Sequence, residues 1–466
     1  MGAGGRGALR RLPPLAGTLA SAARPAPLGR GARKRYSRRM NIDCTVRPSE
    51  ALRDVKYEIR GRLAHRAHEL ERLGYEIISL NIGNPGAFGF RTPETMRLAI
   101  IENLAEGEGY CHQQGIFPAR EAVVMQQQAR GVPNVTVDEV FIGNGVSELI
   151  DLVLRALLNP GDEVLVPSPD YPLWTAAVTL NGGRAVHYPC RPENGFLPDP
   201  EEVASLVTKK TRALVIINPN NPTGAVYPRR LLEALVDIAE RARLVLYSDE
   251  IYDQMLYDGA EFVPLATLTR DTLCATLSGL SKVYRACGYR VGWASFSGRV
   301  RQAADYLAAL ELLSSLRLCS AVPAQWAVQT ALGGYQSIRE LVSPGGRLYE
   351  SRATILAATR VSRFLRLAPP AGAMYAFVAV DTRELPEFDD QRFALDLLEQ
   401  KHVLIAPGVS FNVPYRTHFR ITNLPQPAVL RQVVARMEEL LCAYAMAPAP
   451  KETHRSNVVA AQTRFK

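Results

Sequence analysis

The residues best suited to chemistry are concentrated in three short segments. One segment, rich in glycine and hydroxyl residues, contains Lys282, with Arg290 eight residues further on. Upstream lie an Asn-Pro-Thr-Gly turn at 221–224 and an isolated acid, Asp249, with Tyr252 three residues after it. An amine, a guanidinium, an amide, a carboxylate and a phenol in this arrangement could hold an aldehyde-bearing aromatic ring that also carries an anionic group.

These side chains match the requirements of pyridoxal 5'-phosphate. Lys282 supplies an amine for a Schiff base with the aldehyde, and Asp249 keeps the ring nitrogen protonated. Tyr252 and Asn221 are predicted to donate to the phenolic oxygen. Each has a simpler interpretation: Lys282 as a surface lysine, Asp249 as a helix N-cap and Asn221 as a turn former. Because they follow predicted strands of a parallel sheet, where ligands bind, the cofactor site is favoured.

The phosphate of such a cofactor requires cationic, hydroxyl and N–H partners. Gly145 and Val146 lie in a strand-to-helix turn, where free backbone N–H groups meet the positive end of a helix. Arg290 can make charge-assisted contacts and Ser281 adds a hydroxyl. These four residues are therefore predicted to bind the phosphate.

Two further residues are candidates for ligand contact. Tyr171 follows a strand and is predicted to stack on the ring, unless it is a core aromatic residue. Arg420, on a short strand of a second domain, would bind a substrate α-carboxylate through its planar guanidinium. Cys111, His112 and Cys287 lack a partner pattern for nucleophilic or metal chemistry and are interpreted as structural. No metal site is predicted.

The order of predicted elements indicates an α/β fold. Seven β-rich runs between residues 138 and 296 alternate with helical periods, which predicts a mostly parallel seven-stranded sheet covered by helices. A helix is predicted over 299–318. Beyond about residue 325, a strand over 371–380 and longer helices predict a smaller α+β domain, which residues 41–80 return to join.

This pattern divides the chain into five predicted parts. They are a basic Arg/Gly/Pro-rich leader at 1–40, an N-terminal arm with part of the small domain at 41–87, a large cofactor-binding domain at 88–325, a small C-terminal domain at 326–446 and a disordered tail at 447–466. The leader contains nine arginines, one lysine and no acid. The remainder, with 45 basic and 46 acidic residues, is nearly neutral, which disfavours a nucleic-acid-binding surface.

The leader has two interpretations. An Arg-rich, acid-free segment resembles a mitochondrial transit peptide, but its prolines and glycines oppose an amphipathic helix. We favour a native start at Met40 and a cytoplasmic protein. Seven scattered cysteines without metal or redox spacing indicate reduced thiols, and no apolar run approaches the length of a membrane span.

The chain resembles the class I aminotransferases of the fold-type I pyridoxal-phosphate family, from about residue 57 to about residue 440. The segments that carry the resemblance are Asn81–Pro85, Gly143–Glu148, Pro169–Trp174, Asn218–Gly224, Ser248–Asp253 and Gly279–Trp293. Within the family it is most similar to the bacterial-type glutamate–pyruvate (alanine) aminotransferases, through residues 318–325 and 331–337.

The resemblance assigns the same cofactor roles to Lys282, Asn221, Asp249, Tyr252 and Arg290. It adds Gly83, together with Asn221 and Arg420, as amino-acid-binding positions.

The resemblance also implies that Tyr110 reaches the cofactor phosphate of a neighbouring subunit, so that the active site belongs to a homodimer. Two departures from the family pattern leave the details of phosphate binding open. Arg285 stands where small residues are usual, and Gly279 stands where aspartate-type members often have serine.

The leading hypothesis is a ping-pong transaminase acting on L-alanine and 2-oxoglutarate to give pyruvate and L-glutamate. Alternatives are an aminotransferase of aspartate, aromatic or branched-chain specificity, or a pyridoxal-phosphate-dependent β-lyase, because a fold does not fix the reaction. A regulator that only senses its ligand would need a DNA-binding module, for which residues 1–56 are too short.

A site that accepts both glutamate and alanine should not bury a fixed cation for the distal carboxylate, because alanine would leave that cation unpaired. The segment 57–60 on the N-terminal arm offers a movable cation. We therefore predict Tyr57 and Arg60 as substrate-binding residues, with Arg60 at the distal carboxylate. The alternative is that Arg60 pairs only with Glu58 or solvent.

Arg60→Ala is expected to weaken binding of glutamate and 2-oxoglutarate by roughly 1.5–3 kcal/mol, the range for a lost charge-assisted hydrogen bond. Alanine and pyruvate should be almost unaffected, whereas Arg420→Ala should weaken all four substrates. Half-reaction kinetics with each substrate measure the difference. Equal losses for all four in the Arg60 variant would contradict the assignment.

Overall fold

Three β-sheets organise the part of the chain that the structure, a computed structural model, describes, namely residues 46–55 and 61–446. The strands are β1 (Ile78–Ser79), β2 (Val140–Gly143), β3 (Glu163–Ser168), β4 (Arg184–Pro189), β5 (Thr211–Ile217), β6 (Val245–Asp249), β7 (Leu273–Gly279), β8 (Gly292–Gly298), β9 (Leu365–Arg366), β10 (Tyr375–Val380), β11 (Val403–Leu404), β12 (Ala406–Pro407) and β13 (His418–Thr422). The α-helices are α1 (Arg62–Arg72), α2 (Glu94–Glu102), α3 (Phe117–Ala129), α4 (Val146–Leu157), α5 (Pro172–Leu180), α6 (Pro200–Ser205), α7 (Arg229–Ala242), α8 (Ala304–Leu316), α9 (Ala327–Gly333), α10 (Ile338–Val342), α11 (Arg347–Val361), α12 (Asp390–Lys401) and α13 (Pro427–Met446).

The largest sheet has seven strands in the order β2-β8-β7-β6-β5-β3-β4. The neighbours from β7 to β4 are parallel, while β8 runs antiparallel to both β7 and β2. The predicted fold class, a mostly parallel seven-stranded sheet in an α/β protein, is confirmed. Its parallel strands end at a common edge, which is where ligand-binding loops belong.

Both faces of this sheet are buried, as the uninterrupted apolar run of β5 predicts. Leu214 and Ile216 pack into one apolar cluster, whereas Val215 and Ile217 pack into a second cluster on the opposite face. Alternate residues of a strand point to opposite faces, so helices on both sides are needed to cover them. Each such side chain contributes about 1.5–3 kcal/mol on burial.

The C-terminal part forms a four-stranded antiparallel sheet in the order β12-β13-β10-β9. Its own apolar cluster joins this sheet to α12 and α13. The N-terminal segment returns to this region, because β1 pairs in parallel with β11. This pairing places residues 81–84, directly after β1, beside the edge of the large sheet.

Two predicted boundaries are wrong, and tertiary contacts explain both. The strand predicted from 371 begins at Tyr375, because the preceding residues form a turn in which the Gly372 N–H donates to the Gly224 carbonyl. The helix predicted from 299 begins at Ala304, after a 3₁₀ turn at Val300–Ala303.

No helix in the described ranges combines the length and apolar character needed to cross a membrane.

Candidate active site

A cavity of about 1200 Å³ opens at the carboxyl edge of the large sheet. Its walls come from the ends of β5, β6 and β7, the start of α4, the segment after β1, and strands β10 and β13. Ten predicted site residues line it, namely Gly83, Val146, Tyr171, Asn221, Asp249, Tyr252, Ser281, Lys282, Arg290 and Arg420. Folding therefore brings together residues that are up to 337 positions apart in the sequence.

Lys282 lies in the turn that follows β7. The amide of Leu280 donates to the Val291 carbonyl at 3.0 Å, which fixes the start of this turn against the loop leading into β8. The half-buried Lys282 Nζ donates to the carbonyl of Gly83 at 2.6 Å. The only amine that lines the cavity within the described residues is thus held next to the predicted amino-acid-binding glycine.

Asp249 is the last residue of β6 and is buried. Its Oδ2 accepts a hydrogen bond from Trp174 Nε1 at 3.1 Å. Burial raises the pKa of the Asp249 carboxyl to about 6, although the hydrogen bonds from Trp174 and from the Ile251 amide and the charge of Lys282 oppose the shift. A buried carboxylate of this kind is stabilised by a cationic group beside it.

Arg420 and Asn221, the predicted amino-acid-binding residues, lie together on one side of the cavity. Arg420 Nη1 donates to Asn221 Oδ1 at 2.8 Å, and Nη2 donates to the Asn81 carbonyl. This contact orients the Asn221 amide and leaves its Nδ2 as a donor. The guanidinium of Arg420 is buried, and no carboxylate in the described ranges pairs with it. A planar cation in this position suits a carboxylate ligand.

The start of α4 and Arg290 form the opposite wall. Gly145 has φ 87°, a conformation that favours glycine. A Cβ on Gly145 would lie 2.3 Å from Arg290 Nη2, so the missing side chain lets the guanidinium approach the helix start. Arg290 Nη2 donates to the Asn144 carbonyl at 3.2 Å. Backbone N–H groups, a guanidinium and the Ser281 hydroxyl thus surround one region that could bind an anion, which we call the anion-binding region.

Several predicted residues lie elsewhere. Tyr110 does not line the cavity, and its side chain is 81% exposed. Gly145 supports the cavity wall without lining it. Tyr57 and Arg60 lie outside the described residues.

The two departures from the family pattern have local explanations. Arg285 is directed away from the cavity, and its guanidinium donates to the Arg91 carbonyl at 3.0 Å and to Ser337 Oγ at 2.7 Å. Gly279 lies so close to β8 that a Cβ there would be 2.7 Å from the Val291 carbonyl oxygen. Neither position introduces a new side chain into the anion-binding region.

Sequence reasoning missed three residues of this site. Tyr375 lines the cavity, with its hydroxyl 3.0 Å from that of Tyr252. Trp174, the partner of Asp249, lies on α5. Cys287, interpreted as structural, also lines the cavity, and its Sγ is 4.0 Å from Lys282 Nζ. The position of Cys287, five residues after Lys282, could have indicated that it lies near the cavity. The places of Tyr375 and Trp174 depend on how distant elements pack.

The chemistry of these donors fits pyridoxal 5'-phosphate. The cavity offers an amine, a buried carboxylate, two hydrogen-bond donors in Asn221 and Tyr252, and an anion-binding region at a helix start. The buried guanidinium of Arg420, which has no carboxylate partner among the described residues, matches an anionic substrate rather than the cofactor ring.

Comparison with known proteins agrees with this chemistry. The chain is 46% identical to the glutamate–pyruvate aminotransferase AlaA of Escherichia coli strain K12 over 399 residues, which is 86% of this chain and 98% of AlaA. It is also 46% identical over 399 residues to an alanine aminotransferase of Mycobacterium bovis, covering 85% of this chain and 92% of that protein. A crystal structure of an aminotransferase from Escherichia coli superposes with a TM-score of 0.85 at 46% identity, covering 86% of this chain and all of that one.

The sequence model of the family "Aminotransferase class I and II" matches residues 75–437. That range contains the lysine, the buried carboxylate and the substrate-side arginine of the cavity. The chain therefore belongs to the class I and II aminotransferases.

Proposed function

We propose that this aminotransferase uses pyridoxal 5'-phosphate to transfer an amino group between L-alanine and 2-oxoglutarate, giving pyruvate and L-glutamate in a ping-pong cycle. The observation that carries the reaction type is the meeting of Lys282, Asp249 and Arg420 in one cavity. The relatives at 46% identity, which are named as glutamate–pyruvate and alanine aminotransferases, support the choice of substrates.

When bound, pyridoxal phosphate supplies an aldehyde for the amino group and a ring that accepts electrons. Arg420 would bind the α-carboxylate of each substrate by two parallel hydrogen bonds. Lys282 Nζ would accept the proton of the substrate Cα. Asp249 would hold a protonated ring nitrogen, while Asn221 and Tyr252 would donate to the phenolic oxygen.

The other predicted contacts complete this proposal. Gly145, Val146, Ser281 and Arg290 would hold the phosphate, and Tyr171 would pack on the ring. Gly83 would leave room beside the amino acid.

We also propose a homodimer, in which Tyr110 reaches the phosphate of the neighbouring subunit. Its exposed side chain and its position outside the cavity of its own chain support this arrangement.

We also propose domain boundaries at residues 87 and 325 and a cytoplasmic location. An aminotransferase of another specificity and a β-lyase are the competing activities. One measurement separates them: the purified protein is mixed with L-alanine without an acceptor, and pyruvate and the cofactor absorbance are followed. One pyruvate per site with a lasting absorbance change supports a transaminase. Continuous release from a β-substituted amino acid indicates a lyase, and a response only to aspartate or aromatic amino acids indicates another specificity.

Lys282→Ala is expected to abolish alanine–2-oxoglutarate turnover, because the variant lacks the amine that takes the Cα proton. The phosphate contacts remain, so the folded variant should still hold the cofactor. Steady-state assays and absorbance spectra test this, with the exposed Lys209→Ala as the matched control. More than trace activity in the Lys282 variant would show that another group carries the proton.

Asp249→Asn is expected to lower kcat by about 100-fold or more, the order found when a group that stabilises transition-state charge is removed. The same variant should make the cofactor-free protein more stable at pH 8. Burial raises the carboxyl pKa to about 6 from its ordinary 3.8, so ionisation opposes folding above about pH 6 and has no effect below about pH 4. Asparagine retains an acceptor for Trp174 but carries no charge.

Urea unfolding of the cofactor-free proteins measures this effect. A shift of two pKa units corresponds to roughly 3 kcal/mol, so we expect a gain of about 1–3 kcal/mol at pH 8. The gain should vanish at pH 4. Equal stabilities at pH 8, or a gain independent of pH, would show that the carboxylate is not held against its preference for water.

A further inference from the structure

Tyr375 connects three parts of the cavity. It is the first residue of β10, it is buried, and its hydroxyl lies 3.0 Å from the hydroxyl of Tyr252. The guanidinium of Arg420 lies over its ring, 4.3 Å from the centroid. A Cβ on Gly83 would lie 2.2 Å from its hydroxyl oxygen. The cofactor side, the substrate side and the glycine that receives the Lys282 hydrogen bond therefore meet at one side chain.

The direction of the hydrogen bond between the two hydroxyls follows from a count of protons. In the described part of the chain, neither hydroxyl has a second hydrogen-bond partner. Burial raises the pKa of Tyr252 well above its ordinary value, so this residue keeps its proton. A phenol donates one hydrogen bond. If Tyr252 donates its proton in a hydrogen bond to the phenolic oxygen of the cofactor, the Tyr252 oxygen must accept the hydrogen bond that the Tyr375 hydroxyl donates.

We propose that Tyr375 is a positioning residue of this aminotransferase, whose hydroxyl orients the Tyr252 hydroxyl towards the cofactor and whose ring supports Arg420. The inference rests on the proposed function, because it assigns a direction to the Tyr252 contact. A hydroxyl that accepts a hydrogen bond becomes a stronger donor, since successive hydrogen bonds polarise one another. Tyr375 thereby strengthens the contact that stabilises negative charge on the phenolic oxygen.

The two parts of the side chain have separable roles. The hydroxyl acts on Tyr252, which also interacts electrostatically with Arg420 and Asp249. The aromatic face acts on Arg420 through a cation–π contact, which holds the guanidinium in the plane needed for a carboxylate. Phenylalanine at 375 removes only the first role, whereas leucine removes both.

The first experiment titrates the visible absorbance band of the cofactor-loaded protein against pH. Tyr375→Phe should move the midpoint of this titration to higher pH by roughly half a unit to one unit. Without the Tyr375 hydroxyl, Tyr252 is a weaker donor and stabilises the anionic phenolic oxygen less. Tyr252→Phe should move it further in the same direction. The double variant should match Tyr252→Phe, since the Tyr375 hydroxyl acts only through Tyr252.

Kinetics separate the ring from the hydroxyl. Tyr375→Phe should lower kcat by about 3- to 10-fold, as expected for one lost hydrogen bond, with KM values unchanged. Tyr375→Leu should in addition raise KM for alanine, glutamate, pyruvate and 2-oxoglutarate together, because all four use Arg420. If the leucine variant does not fold, the phenylalanine variant and its titration decide the proposal.

Tyr257→Phe is the matched control. The Tyr257 hydroxyl is buried and donates to the Ala373 carbonyl at 2.9 Å, two residues before Tyr375, but it does not line the cavity. The titration midpoint and the kcat of Tyr257→Phe should equal those of the unmodified protein. An unchanged midpoint in Tyr375→Phe, or additive shifts in the double variant, would overturn the proposal. Absence of a cofactor band in the unmodified protein would instead overturn the proposed function.

Discussion

The burial of the Arg420 guanidinium is the constraint on which the rest of this site depends. A buried charge is unfavourable unless polar groups and a partner surround it. Here β13 fixes the arginine between two neighbouring strands, and three other elements supply its contacts: Asn221 after β5, Asn81 after β1 and the ring of Tyr375 on β10. The large sheet, the C-terminal sheet and the N-terminal segment are thereby aligned around one cation that suits a carboxylate ligand.

Asp249 has the opposite charge and the same kind of burial. Its position at the end of β6 removes it from water, and a single indole N–H and a backbone amide partly compensate. Burial raises the pKa of its carboxyl, because these contacts only partly replace the water that would surround the anion. We therefore expect ionisation of Asp249 to lower the stability of the cofactor-free protein at neutral pH, at the position where we propose that a cationic ring nitrogen is held. Such opposition between stability and function is common at active sites.

Two glycines allow polar and charged groups of the site to approach the backbone closely. Gly83 leaves space for the hydroxyl of Tyr375, and its carbonyl accepts the hydrogen bond from Lys282. Gly145 allows Arg290 to reach the start of α4. In both places a methyl group would lie 2.2–2.3 Å from a polar or charged atom, so a larger residue would displace that atom from its place in the site.

The sequence by itself determined the α/β class, the family and ten of the residues that line the cavity. The sequence predicted the strands of the parallel sheet, and Asn221, Asp249 and Lys282 each lie at or just after the carboxyl end of one of them, so the sequence also predicted that they meet at one edge. The places of Tyr375 and Trp174 in the site were decided only by the tertiary structure. Tyr375, on β10 of the C-terminal sheet, meets Tyr252, which follows β6 of the large sheet. Trp174, on α5, reaches Asp249 at the end of β6. Local patterns encode which face of an element is buried, but the register and packing between distant elements arise from many weak contacts that no single segment contains.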